Sequence, residues 1–319
     1  MRAPRFSRAA AAVLPLSLAT ALALTGCSGD EAPAADPNRG CDETSSRKND
    51  GVRPIELPPA HLTVTDPGAG DRRVPVSAPR TDAPQRVTLT TESRETSVVS
   101  GREPTSTVEA VTLPLTARAG CRDPKNLEFT VTGAPTSPDE ALQPALAVFD
   151  GAHGGVTFTG GLAPNELRIM PPADATDPAT RAVEQSLVTA FTLAVPIPTT
   201  PVGVGARWTV TRTVSSATTL TQTLNATLKS WKDDRLVVDV AVDETPVDPV
   251  FRIPGSDATL DLTRYSNSGT GTVTVDLKTL LPAAGELKSK GARELIGSDA
   301  NRPILQHTTL DLTWTTTGS

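Results

Sequence analysis

The chain has 319 residues, with 30 Lys and Arg against 36 Asp and Glu and a formal net charge of −6. An acidic chain without a basic block is a poor partner for nucleic acid, so that function class is set aside. The same balance gives it no electrostatic hold on anionic headgroups.

At the N-terminus Arg2, Arg5 and Arg8 precede an apolar run from Ala9 to Leu24, broken by Pro15. A charged start, a short apolar core and small residues at its end are the layout of a secretory signal. The run is too short for a membrane span, which takes about 20 strongly apolar residues. Leu24-Thr25-Gly26-Cys27 matches the lipobox of bacterial lipoproteins: an aliphatic residue, two small ones, then a thiol. The match implies cleavage before Cys27 and a diacylglyceryl group on its sulfur. Two acyl chains anchor stably where one is marginal, at about 0.8 kcal/mol per buried methylene. Residues 1–26 are therefore expected to be removed, leaving 27 basic against 36 acidic residues. Residues 27–40 are small, polar and Pro-punctuated, the composition of a flexible tether. The expected location is the outer, extracytoplasmic face of a cell membrane, held by lipid.

With Cys27 committed to lipid, Cys41 and Cys121 remain in an oxidising compartment, where a disulfide is the expected state. Two metal-bound thiolates are the alternative, but neither cysteine has a His or Cys nearby in sequence. Residues 41–80 are Pro-rich and expected to be partly irregular. No fixed-period repeat and no second composition regime appears, so 41–319 reads as a single domain.

From about residue 80 the signal is alternation, the period of a strand with one buried face. Segments 86–99, 107–117, 127–132 and 155–159 show it briefly. Two stretches look helical: Pro138-Asp139-Glu140 to about Phe149, and one opened by Asp177-Pro178 with Val183, Leu187, Ala190, Phe191 and Ala194 on one stripe. Val195-Pro196-Ile197-Pro198 ends the second. Trp208, Val210 and Val214 then share a face, followed by Leu220, Leu224 and Leu228. A polar turn at 232–235 and Leu236, Val238, Val240 and Val242 complete a three-stranded meander. Further strands read at 273–277 and 310–314. One apolar face per strand implies antiparallel pairing, and the threonines opposite favour strand while keeping the other face wet. The expected architecture is α+β, mainly antiparallel: a curved, half-barrel-like sheet covered by two amphipathic helices. A β-sandwich is the alternative.

The chemistry-bearing residues do not assemble into a known motif. His61, His153 and His307 have no titratable neighbour at a catalytic spacing. Gly203-Val-Gly205 and Gly269-Thr-Gly271 lack the following helix of a phosphate site and read as turns or bulges. Asp233-Asp234 and Asp243-Glu244 read as hairpin turns. Asp257 and Asp261 do not make a calcium loop. No catalytic residue, metal or cofactor is therefore expected, and an enzyme would need tertiary convergence of groups such as His153, Asp150 and Glu166. Among the few aromatics, Phe191, Trp208 and Trp314 point to the apolar side and are the candidate ligand-binding residues, with core packing as the plainer role.

Pro201-Val-Gly-Val-Gly-Ala-Arg-Trp208 resembles the Pro-Val-x-Val-Gly-x-x-Trp signature of a family of uncharacterised bacterial lipoproteins. Gly269-Thr-Gly271-Thr-Val-Thr-Val-Asp276-Leu and Leu280-Leu-Pro-Ala-Ala-Gly285 resemble that family's second marker, the likeness covering roughly 180–319. It implies location and architecture and names no reaction. A more distant resemblance is to half-barrel lipoproteins that carry lipids, which implies an apolar pocket between sheet and helices. The function expected is a non-catalytic envelope lipoprotein binding an apolar or lipid ligand. The alternative is an interaction or scaffold module docking on another envelope protein.

Overall fold

The computed structural model describes residues 40–49 and 51–317. The signal, the lipobox with Cys27 and the tether up to residue 39 lie outside the described residues.

The described chain is dominated by strands. They are β1 (Cys41–Asp42), β2 (Arg53–Glu56), β3 (His61–Asp66), β4 (Gln85–Val99), β5 (Thr105–Gly120) and β6 (Asn126–Val131). After a short helix α1 (Gln143–Leu146) come β7 (His153–Phe158) and β8 (Pro164–Met170), then helix α2 (Asp177–Thr192). The second half holds β9 (Arg207–Ser215), β10 (Thr219–Lys232), β11 (Arg235–Pro246), β12 (Val250–Arg252), β13 (Thr259–Asp276), β14 (Ala284–Ile296) and β15 (Ile304–Thr316).

All fifteen strands belong to one sheet, in the order β2-β8-β7-β6-β5-β4-β15-β14-β13-β11-β10-β9-β3, with β1 beside β5 and β12 beside β13. Every pairing is antiparallel except β1 with β5. One hydrogen-bonded sheet replaces the two facing sheets of a sandwich. Its two edges are β2 and β3, which are joined by only Leu57–Ala60. At about 3.3–3.6 Å per residue that linker spans at most about 18 Å, so the sheet is bent round until its edges are neighbours, yet it stays open. Pro54 sits on the β2 edge, where a missing N–H costs no ladder bond.

The meander β9-β10-β11 forms as expected, turning at Asp233, which takes the left-handed conformation (φ 53°). Its inward side chains Trp208, Val210, Leu224, Leu228, Leu236 and Val238 are buried. They join Val87, Leu89, Leu113, Leu115, Leu167 and the α2 stripe of Val183, Leu187, Ala190 and Phe191 in one core. Helix α2 packs on β4, β5 and β8, with the Thr91 hydroxyl donating to Ser186 at 2.8 Å.

Three expectations are corrected. The first helix does not run from 138 to 149: α1 covers four residues and tightens into a 3-10 turn over Ala147–Phe149. Pro144 lacks the N–H that a helix begun at 138 would need and clashes with its preceding turn, so among the described residues α2 alone covers the sheet as an amphipathic helix. Gly269 and Gly271 are neither turn nor bulge but lie inside β13, in regular register with β14. A Cβ at Gly271 would stand 2.2 Å from the Glu286 carbonyl oxygen, so the two strands approach too closely for any side chain. Asp243 and Glu244 are ladder residues of β11, not a turn, because the strand continues to Pro246.

The N-terminal segment is fixed twice. Cys41 and Cys121 form the expected disulfide. Nearby, Arg168 projects from β8 away from the core, with its side chain 1% exposed. All five of its N–H groups have acceptors: Nε on Ser46, Nη1 on Thr157 and Glu166, Nη2 on Asn126 and Glu128, at 2.7–3.3 Å. Gly155 leaves room for this guanidinium, since a Cβ there would lie 2.3 Å from Nη2.

Candidate apolar site at the sheet–helix interface

At the C-terminal turn of α2, Phe191 faces Trp314 of β15 with ring centroids 6.2 Å apart and Phe158 of β7 at 6.4 Å in edge-to-face geometry. Such aromatic contacts contribute roughly 0.5–1.5 kcal/mol beyond area burial. Between these rings, β13, β14 and the 280–282 loop lies an apolar cavity of about 50 Å³, lined also by Leu193, Val275, Leu280, Leu281 and Leu312. The register explains the space. Trp314 pairs with Gly285 on β14, so the position beside the indole has no side chain to fill it.

The structure thus brings Phe191 and Trp314 together and places Trp208 elsewhere. Trp208 is 1% exposed and donates its Nε1–H to the Pro196 carbonyl at 2.9 Å; it locks the segment after α2 and does not line the cavity. Phe158 was not singled out in sequence, and Leu280 and Leu281 stood out only as part of the 280–285 marker, with no role at a site. Phe158 ends a short strand, and the leucines sit on a connecting loop that no periodicity marks.

Further along the same inward face the side chains turn polar. Past Val210, Leu224 and Val242 come Arg212, Gln222 and Glu244, and the neighbouring strands continue with Tyr265, Asn267, Arg293, Gln306 and Glu95. Glu244 accepts from Gln222, Tyr265 and Asn267 at 3.1, 2.7 and 2.7 Å. Arg293 donates to Gln306 and Glu95, and lies over the Phe251 ring. Burial, then the Glu244 charge, pushes the Tyr265 phenol well above its usual range. Burial likewise pushes the Arg212 guanidinium down to about 10. Its Nη2 is held by the Ala194 carbonyl at 2.6 Å, so this belt braces the end of the α2 segment.

A larger groove of about 570 Å³ runs over the opposite face, lined by Asn225, Thr227, Asp239, Thr270 and Lys288. It is open, and Asp239 and Lys288 are paired with Lys229 and Asp311 at 3.2 and 3.5 Å. That is the pattern of a solvated strand face.

Asp150, His153 and Glu166 each hold a different partner. Asp150 accepts from the Gly133 N–H, His153 Nδ1 meets the Thr130 hydroxyl, and Glu166 accepts from Arg168. His61 and His307 are exposed on β3 and β15. Among the described residues no group of three His, Cys, Asp or Glu is placed to hold a metal ion, and no helix is long and apolar enough to cross a membrane.

No family model matches the chain, and none of the curated proteins matches it. The family suggested by 201–208 and 269–285 therefore has no such match behind it. Among solved structures, one of lipovitellin concerned with lipid–protein interactions superposes with a TM-score of 0.42 at 8% identity. The match covers 74% of this chain and 25% of that one, so the chain spans about a quarter of that protein's length.

Proposed function

We propose that this protein is a non-catalytic envelope lipoprotein, held by lipid on Cys27 at the extracytoplasmic face of a membrane, which binds an apolar ligand between α2 and the sheet. The observation that carries the binding reading is the cavity at Phe191 and Trp314, lined mainly by apolar side chains with Glu286 at one side, and left open by Gly285. At about 50 Å³ it holds little more than a water-sized group, so a ligand enters by displacing lining side chains. The lipobox supports the anchor, and the Cys41–Cys121 disulfide suits the oxidising compartment the anchor implies.

Two measurements test this. Metabolic labelling with palmitate should mark the wild-type chain, and Cys27→Ser should abolish the label; a labelled variant removes the anchor. Native mass spectrometry of residues 40–319, exported behind a cleavable signal, should show an adduct of lipid mass. The adduct should disappear in Phe191→Trp, which fills the cavity. A bare protein mass under mild desolvation speaks against ligand binding and favours a docking role.

A further inference from the structure

The apolar cavity shares a wall with a second cleft of different character. This cleft, about 170 Å³, opens beside the start of β4, with an apolar floor that includes Ala119, Leu127 and Leu280. Four cations, Arg80, Arg86, Arg235 and Lys278, line it against one carboxylate, Asp276. Three of the cations have counter-ions: Arg80 on Asp82 at 2.8 Å, Arg235 on Asp276 at 3.3 Å and Lys278 on Asp234 at 3.8 Å. Arg86 is exposed and has no ion pair among the described residues.

Leu280 lines both spaces, Leu281 and Pro282 line the cavity, and Ala283 lines the cleft. The partition is therefore the loop between β13 and β14. Gln85 latches it: its Nε2 donates to the Leu281 and Pro282 carbonyls at 2.9 and 3.3 Å, and its Oε1 accepts from the Leu281 N–H at 3.2 Å. The Gln85 side chain thus ties the wall between an apolar interior and a cation-rimmed mouth to the start of β4, beside the Thr279 hydroxyl, which donates to the Leu281 carbonyl at 3.0 Å. The mouth also adjoins Gly40. Gly40 packs so tightly on the Asp82–Ala83 backbone that a Cβ would lie 2.2 Å from the Ala83 nitrogen. The chain reaches that point thirteen residues after Cys27, a span of at most about 45 Å.

We propose that this cleft is the entrance for an anionic single-chain amphiphile. The tail moves the Leu280 loop off its Gln85 latch and enters beside Phe191 and Trp314. The head group, a carboxylate or phosphate, remains at Arg86 and Lys278, where charge-assisted hydrogen bonds to cations favour an anion. The inference rests on the reading that the cavity binds an apolar ligand, and adds the ligand's charge and route.

The test titrates the purified chain, tether included, with palmitate, palmitoyl lysophosphatidate and uncharged monopalmitoylglycerol by calorimetry. Both anions should bind at least about tenfold more tightly than the neutral ester, a difference readily resolved at that scale. The double variant Arg86→Glu/Lys278→Glu should erase the preference while leaving the neutral ester's affinity unchanged. Gln85→Ala should speed association in stopped flow, with an unchanged melting temperature excluding general loosening. The two anionic arms tell a carboxylate from a phosphate preference. Equal binding of the neutral ester, or indifference to the charge reversal, overturns the entrance and leaves the cavity reading intact. Failure of all three to bind overturns both.

Discussion

Along β10 and β11 the inward positions carry Leu224, Ala226, Leu228, Leu236, Val238, Val240 and Val242, all buried. Along the far halves of β13, β14, β15 and β4 the equivalent positions carry Asn267, Gly269, Gly291, Arg293, Thr308, Gln306, Ser93 and Glu95, all partly exposed. The strands, pairing and alternation are of one kind in both regions. What differs is the filling: one is packed, the other is a polar belt leading to a small cluster of Phe251, Leu262 and Leu295. Alternation decides which side chains point inward, but only their size and polarity decide whether that face becomes core. The packed end should carry the global stability, and the far end should open locally at lower free energy.

The sharpest contrast comes from the packed end's covalent brace. Reducing Cys41–Cys121, which are 80 residues apart, should cost roughly 4–5 kcal/mol in the chain-entropy account, read as a lower denaturation midpoint. A loss below about 1 kcal/mol would mean that the β1–β5 pairing and the Arg168 contacts hold the N-terminal segment without the crosslink. Arg168→Ala strands Glu128 and Asn126 in the interior and should cost about 3–5 kcal/mol; an effect near zero would show that water replaces the guanidinium. Gly271→Ala forces a Cβ against the Glu286 carbonyl and should cost roughly 1–3 kcal/mol. A neutral result would show that β13 and β14 can part freely. At the far end, Phe251→Ala should leave the global unfolding free energy nearly unchanged. It should speed amide exchange at 260–266 and 292–296 while sparing 236–242, and uniform acceleration would erase the distinction between the two ends.

Tyr265 reports on the far end by pH. Its folded pKa is raised by burial and by Glu244, above the unfolded value near 10. The raised value stabilises the fold fully below that pH, and the contribution is lost as pH climbs above it. As the chain's single tyrosine, it should show no tyrosinate absorbance at pH 11 until urea is added. Absorbance in the folded protein would show the belt already open to solvent.

Strand periodicity made the meander and the β4, β5, β13 and β15 regions legible, because each has one apolar face at period two. The α2 stripe was legible for the same reason at helical spacing. The weaker signals were short or Pro-rich: β1, β2, β3 and β8 are held by pairing partners remote in sequence. The failed first helix is a local lesson that Pro144 carried in plain view. Of the site, Phe191 and Trp314 were legible as inward aromatics. Their meeting was not, since α2 and β15 are separated by more than a hundred residues and alternation carries no distance.

By itself the sequence determined the one-faced strands, the Asp177-Pro178 helix start and a cysteine pair able to close. These depend on local sterics, periodicity and thiol chemistry, which neighbours in sequence settle. Only the tertiary structure decided that one sheet would bend until β2 and β3 adjoin, and that Gly285 would leave a gap beside Trp314. It alone brought Gln85 to latch a loop nearly two hundred residues away. Those outcomes depend on register between distant strands, where a shift of one residue turns every inward side chain outward.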